Sequence, residues 1–158
     1  MIVVADSSPL IALSRVGRIR LLKEMFGRLV VPEAVWQELT AGDTNRAGVS
    51  ELLQSDWIER RTVSDRGLVN LLRRDLGAGE AEAIVLAREI DADVLLIDER
   101  LGRSAAESLG ITITGLVGIL IEAKQRQLLT DPIGLANELR DRAGFWISDS
   151  LMNLILQG

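Results

Sequence analysis

Hydrophobic positions along the chain fall into two alternating patterns. Short unbroken apolar runs read as buried strands: Ile2–Ala5, Leu29-Val30-Val31, Asp93–Ile97 and Ile111-Thr112-Ile113. Between them, apolar residues recur at helical spacing. The predicted helices are Leu10–Leu13, Ile19–Phe26, a stretch from Pro32 to about Leu39, Val49–Gln54, Leu68–Asp75, Glu80–Glu89, Leu101–Leu109, Leu116–Arg126, Ile133–Arg142 and Ser148–Leu156. Trp57–Val63 reads as extended, Ala41–Asn45 as a loop, and Leu76-Gly77-Ala78-Gly79 as a hinge. Pro32 suits a first helical turn, and Gly17 separates the first two helices. The clearest helix is Glu80–Glu89, with Ile84, Val85 and Ala87 on its apolar side.

Strands alternating with helices predict an α/β fold: a three-layer α/β/α sandwich with a central, mostly parallel sheet. A length of 158 residues without repeats or linkers predicts one domain over 1–158. Residues 1–126 would form its core, and 127–158 C-terminal helices that pack on the domain or offer a dimer or partner face. No segment reaches the ~18 apolar residues of a membrane span, and the N-terminus has no basic leader. The expected setting is the cytoplasm, with no membrane partner.

Composition then removes whole classes of chemistry. The chain has no Cys, no His and no Tyr. A Ser-His-Asp triad, a cysteine nucleophile and a His- or thiolate-ligated zinc centre are excluded within this chain. What remains is Lys, Arg, Ser, Thr and carboxylates, or a metal held by oxygen. The net charge of −5 disfavours broad electrostatic binding to nucleic acid.

The acids are placed suggestively. Asp6 follows the first strand directly, Glu38 lies late in the helix after the second, Glu80 opens its helix with Glu82 two residues on, and Asp98-Glu99 end another strand. In parallel sheets, ligands sit at the carboxyl ends of strands. Whether the start of the Glu80 helix returns to that rim stays open from sequence. Carboxylates gathered there raise one another's pKa, and a divalent cation relieves them. Oxygen-only ligands favour Mg²⁺ or Mn²⁺. Such a metal also lets an acidic protein hold a polyanion. Each acid alone has a plainer reading: Asp6 as a helix cap, Glu38 on a solvated face, Glu80 and Glu82 as first-turn charges, Asp98-Glu99 as a turn.

Their joint order resembles the PIN-domain family of metal-dependent nucleases, and within it the stand-alone prokaryotic branch that begins Asp-Ser-Ser-Pro-Leu-Ile. The resemblance rests on Asp6-Ser7-Ser8-Pro9-Leu10-Ile11, on Val31-Pro32 through Glu38, on Gly77-Ala78-Gly79-Glu80 through Ile84, and on Leu95-Leu96-Ile97-Asp98-Glu99-Arg100. It spans roughly residues 2 to 126. It implies an acidic pocket for Mg²⁺ or Mn²⁺ and hydrolysis of single-stranded RNA, leaving a 5′-phosphate and a 3′-hydroxyl. Carried over by position, Asp6, Glu38 and Glu80 match three family acids. Asp98 is the first choice for the fourth and Glu99 the second. Glu82, Ser7 and Ser8 would support them, and Arg100 and Arg103 would meet phosphates. The resemblance also implies a toxin of a toxin–antitoxin pair, with an antitoxin protein as possible partner, and a homodimer.

The scarce aromatics, Phe26, Phe145, Trp36, Trp57 and Trp146, argue against a broad base-stacking platform. Trp36 reads as core rather than cleft. The competing readings are a non-catalytic binding module of the same fold and, less favoured, a carboxylate phosphatase or receiver-like protein. A phosphatase wants a second Asp where Ser8 stands, and a receiver wants a strand-end Lys that the chain lacks.

Overall fold

The computed structural model describes residues 1–41 and 48–157. Most of the predicted Ala41–Asn45 loop lies outside the described residues. Among those described, the chain runs β1 (Val3–Ala5), α1 (Ser7–Arg15), α2 (Arg20–Phe26), β2 (Leu29–Pro32), α3 (Glu33–Thr40), α4 (Val49–Leu53), β3 (Ile58–Arg61) and α5 (Arg66–Leu72). It continues with α6 (Ala78–Glu89), β4 (Val94–Leu96), α7 (Arg100–Ser108), β5 (Ile113–Thr114), α8 (Leu116–Gln125), α9 (Pro132–Ala143) and α10 (Asp149–Gln157).

The strands form one parallel sheet in the order β3-β2-β1-β4-β5. Val4 pairs with Val30 on one side and Leu95 on the other. Every residue of β1, β2 and β4 is buried. A strand buried on both faces needs helices on both, which is why these strands are continuous apolar runs rather than alternating ones. The result is a three-layer α/β/α sandwich. Its core joins the strands to Leu10, Leu13, Leu22, Ile84, Leu116 and Leu120, among others.

Two of the boundaries that differ from the sequence reading do so for clear reasons. The first helix starts at Ser7, because Ser7-Ser8-Pro9 form its first turn and proline is tolerated there. The expected hinge at 76–79 is shorter, since Gly77 is the N-cap and α6 already includes Ala78 and Gly79. From Ala81 to Ala87 every residue of α6 is buried, Glu82 included. The helix packs against β1, β2 and β4 and beside α3 and α5, so it has no solvated face over this stretch.

The C-terminal helices pack on their own chain. Helix α9 lies against α1, and α10 against α8 and α9. Lys124 Nζ donates to the carbonyls of Ile155 (3.0 Å) and Leu156 (2.6 Å), a cation on the negative end of the α10 dipole. Among the described residues, no helix is long and apolar enough to cross a membrane.

Topology also answers the question about Glu80. The C-terminal end of α6 leads into the start of β4, where the Asp93 amide donates to the Ile2 carbonyl beside β1 (2.8 Å). The helix therefore runs antiparallel to the strands, and its N-terminal turn, with Glu80, sits at their carboxyl rim.

Candidate active site

Asp6 stands where β1 becomes α1. Its amide donates to the Leu96 carbonyl at 2.9 Å, which ties it to β4. It occupies the N-cap position of α1 but makes no capping bond with its side chain, so the plain cap reading does not hold. The residue is 2% exposed, and Oδ1 has no hydrogen-bond partner.

Glu38 lies on the exposed side of α3 and is held from two directions. The Ser7 hydroxyl donates to its Oε2, and the Gly79 amide donates to Oε1 at 3.1 Å. One carboxylate thus links α1, α3 and the first turn of α6. Ser8, half-buried, takes no part in these bonds.

Glu80 is in the first turn of α6, and its Oε2 is buried without a partner. Burial pushes its carboxyl up most. The negative fields of Glu99 and Glu38 add to this, while the Gly77 N–H pulls the other way. Burial also pushes Asp6 up, to about 7. The Ser7 N–H offsets part of that rise, and Glu80, Glu38 and Glu99 add to it.

Asp98 and Glu99 separate at this point. Glu99 is solvent-exposed and adds to the negative field at both Asp6 and Glu80. Asp98 turns toward the start of α8, where its Oδ1 accepts the Leu116 amide at 3.0 Å, while its Oδ2 is buried and unpartnered. Its carboxyl is raised by burial, against the Leu116 N–H and the positive charge of Arg103. Glu38, Glu80 and Glu99 thus all act on Asp6 through their charge, whereas Asp98 faces the start of α8 and Arg103 on the β5 side.

Glycines make room for these carboxylates. A methyl group at Gly79 would overlap Glu38 Oε1, and one at Gly115 would overlap Asp98 Oδ1. One at Gly102 would fall 2.8 Å from Glu80 Oε2. Gly102 escapes the sequence reading, although a glycine inside a helix is itself a signal of close approach. Because Glu38 is the end of a flexible side chain, Gly79→Ala should displace it at little cost to the fold. A helical Gly→Ala change contributes about 0.5–1 kcal/mol in return. The expected outcome is a melting temperature within about 3 °C of wild type, with the RNA cleavage that the sequence resemblance implies at least roughly tenfold lower. Thermal melts beside a cleavage assay check both.

Other charged residues near the rim differ in their surroundings. Glu82 Oε1 accepts the Ala34 amide and Oε2 pairs with Arg66, each at 3.0 Å, so it acts between helices rather than on the cluster. Arg60 is paired with Glu33 at 2.8 Å and lies over the Trp36 ring, which packs on the core. Arg61 pairs with Glu59 at 3.0 Å. Arg100 is exposed; Arg103 is half-buried beside Asp98.

A family model described as DUF3368, PIN domain, matches residues 2–158. The chain belongs to the PIN-domain family. No curated protein and no solved structure matches it. PIN domains are generally nucleases that use divalent metals, and this PIN domain has the corresponding sheet and an acidic rim. Among the described residues, no three carboxylates stand close enough together to form a ready metal-binding group. Even so, the donor set fits a hard cation. Asp6 Oδ1, Glu80 Oε2 and Asp98 Oδ2 are buried oxygens without partners, and no nitrogen or sulfur ligand competes. In this PIN domain, Asp6, Glu80 and the neighbouring Asp98-Glu99 pair are the residues that would hold such an ion.

Proposed function

We propose that this PIN domain is a Mg²⁺- or Mn²⁺-dependent ribonuclease that hydrolyses phosphodiester bonds of single-stranded RNA. The observation that carries the reading is the pair of buried, unpartnered oxygens, Asp6 Oδ1 and Glu80 Oε2, set among Glu38 and Glu99 at the carboxyl rim. Carboxylates left without partners in a low-dielectric site are costly unless a cation offsets them.

A bound divalent ion would supply Lewis-acid activation and charge neutralisation at the phosphorus. The chain's own residues do the rest. Asp6, Glu80 and Glu99 bind and orient; we assign the fourth position to Glu99 because its field reaches Glu80. Glu38, fixed by Ser7 and Gly79, keeps lone pairs on both oxygens and orients the attacking water through them. That water forms a bond to phosphorus in line with the 3′ oxygen, whose bond to phosphorus breaks. The products are a 5′-phosphate and a 3′-hydroxyl, with no covalent enzyme intermediate.

The wider setting belongs to the same proposal: a cytoplasmic toxin paired with an antitoxin protein, and a homodimer. The absence of Cys suits a reducing compartment. Exposed Leu154 and Leu156 on α10 offer apolar surface for a second chain.

The test is cleavage of a mixed single-stranded RNA pool with Mg²⁺, Mn²⁺ or EDTA, wild type beside Glu80→Gln, with product ends identified. Metal-dependent cutting that leaves 5′-phosphates and is lost in the variant is expected. A folded protein that cuts under none of these conditions and binds no Mn²⁺ would move the reading to a non-catalytic module.

A further inference from the structure

Beside the acids lies a cleft of about 360 Å³ that no step of the hydrolysis uses. Asp98, Arg103 and Thr114 line one part of it, and Phe145 and Trp146 another. Its volume falls in the range of small-ligand sites, roughly 300–1,000 Å³. Thr114 ends β5 and Asp98 follows β4, so the cleft opens on the same sheet rim as the carboxylate group, one residue from Glu99.

Trp146 is 78% exposed, and the chain around it holds it that way. Gly144 ends α9 with φ +68, and the Phe145 amide donates back to the Leu139 carbonyl at 3.0 Å. Ile147, on the other side, is buried in the core. With both neighbours anchored inward, the indole is turned outward on a fixed backbone. An indole face left in water over a cleft is a surface for a flat partner. The other wall carries Arg103, which forms no ion pair among the described residues, and Asp98 with its spare oxygen Oδ2.

An aromatic face and a guanidinium in one cleft complement a nucleotide, with its base and its phosphate. We infer that this cleft binds the nucleotide of single-stranded RNA next to the scissile phosphate, its base stacked on Trp146 and its phosphate on Arg103. The inference rests on the ribonuclease reading for its substrate class. A single stacking position agrees with the scarcity of aromatics, which argues against a platform rather than against one base.

The test uses the full chain and a fluorescein-labelled single-stranded RNA octamer. Anisotropy is read in EDTA and in Ca²⁺, and steady-state cleavage in Mn²⁺. Trp146→Ala should weaken binding and raise KM about tenfold while kcat stays within about twofold, and Trp146→Phe should restore most of the affinity. Arg103→Ala should weaken binding and lower the salt dependence by about one phosphate contact. If the wild type cleaves and Trp146→Ala has an unchanged KM, the cleft proposal falls while the nuclease stands. If RNA binds through Trp146 but is never cut, the cleft stands and the nuclease reading falls. If Trp146→Ala instead turns a dimer into a monomer by light scattering without altering RNA affinity, the indole is a subunit contact and the inference is overturned.

Discussion

Asp6→Asn should make the metal-free protein more stable at pH 8 and leave it inactive. Asp6 is buried, and its carboxyl is pushed up from 3.8 to about 7. A raised carboxyl stabilises the fold below its unfolded pKa and loses that contribution as pH rises through the folded one. In EDTA, the contribution should therefore disappear between about pH 4 and pH 7. At pH 8 the buried anion opposes folding, and at 1.36 kcal/mol per pKa unit its removal should stabilise the protein by roughly 2–4 kcal/mol. For a chain of this length that corresponds to roughly 5–10 °C in melting temperature. The difference between variant and wild type should shrink toward zero near pH 4. Mn²⁺ should raise the wild-type melting temperature and leave the variant's unchanged, with cleavage down roughly 100-fold or more. A variant less stable than wild type at pH 8 in EDTA would mean that Asp6 is satisfied within the fold, and the metal argument would lose its basis.

The expected trade of stability for activity explains why the site departs from ordinary core design. Everything around Asp6 on β1 and β4 is close-packed and apolar. A carboxylate with an orphan oxygen is the least favourable group to place there, short of a ligand that needs it. Glu80 repeats the pattern one helix away, on α6. Both sit at the carboxyl rim, where strands end and backbone amides of the following helices are unsatisfied, so each gains partial relief from a nearby N–H: Ser7 for Asp6 and Gly77 for Glu80.

Much of this arrangement was legible in the chain because it is local. Strands ending at Asp6 and Asp98, and a helix opening near Glu80, follow from apolar runs meeting polar residues, and the parallel sheet follows from alternation. What could not be read depends on contacts far apart in sequence. The Ser7–Glu38 and Glu38–Gly79 bonds span 31 and 41 residues. The choice between Asp98 and Glu99 turns on one backbone step, which sends neighbouring side chains to different sides at the end of a strand. Only the position of α8 shows that Asp98 Oδ1 accepts the Leu116 amide while its Oδ2 is left without a partner. Trp146 looked like one of several stray aromatics. Its exposure depends on Ile147 being buried, and that is decided by the core rather than by local pattern.

Glu82 provides the contrasting case, a buried acid whose loss should harm the fold. Helix α3 begins after Pro32, which gives it no side-chain cap. Glu82 supplies one from a different helix, accepting the Ala34 amide in the first turn of α3, where a negative charge also suits the helix dipole. Its other oxygen pairs with Arg66, a half-exposed partner that contributes little by itself. Glu82→Ala should leave the Ala34 N–H unpaired in a part-buried place and cost roughly 2–4 kcal/mol, a drop of roughly 5–12 °C in melting temperature. Cleavage should fall as well, through kcat, because α3 carries Glu38 and a loosened α3 no longer presents it to the water. Glu82→Gln keeps an oxygen for the Ala34 amide and should recover most of both losses. The Mn²⁺-induced shift in melting temperature separates this role from ligation: it should survive in Glu82→Gln, whereas it should vanish in Asp6→Asn. Loss of the shift in Glu82→Gln would place Glu82 among the metal-holding acids instead. The two substitutions, on carboxylates that are both buried, should thus move stability in opposite directions at pH 8, because the fold satisfies both oxygens of Glu82 and leaves Asp6 Oδ1 without a partner.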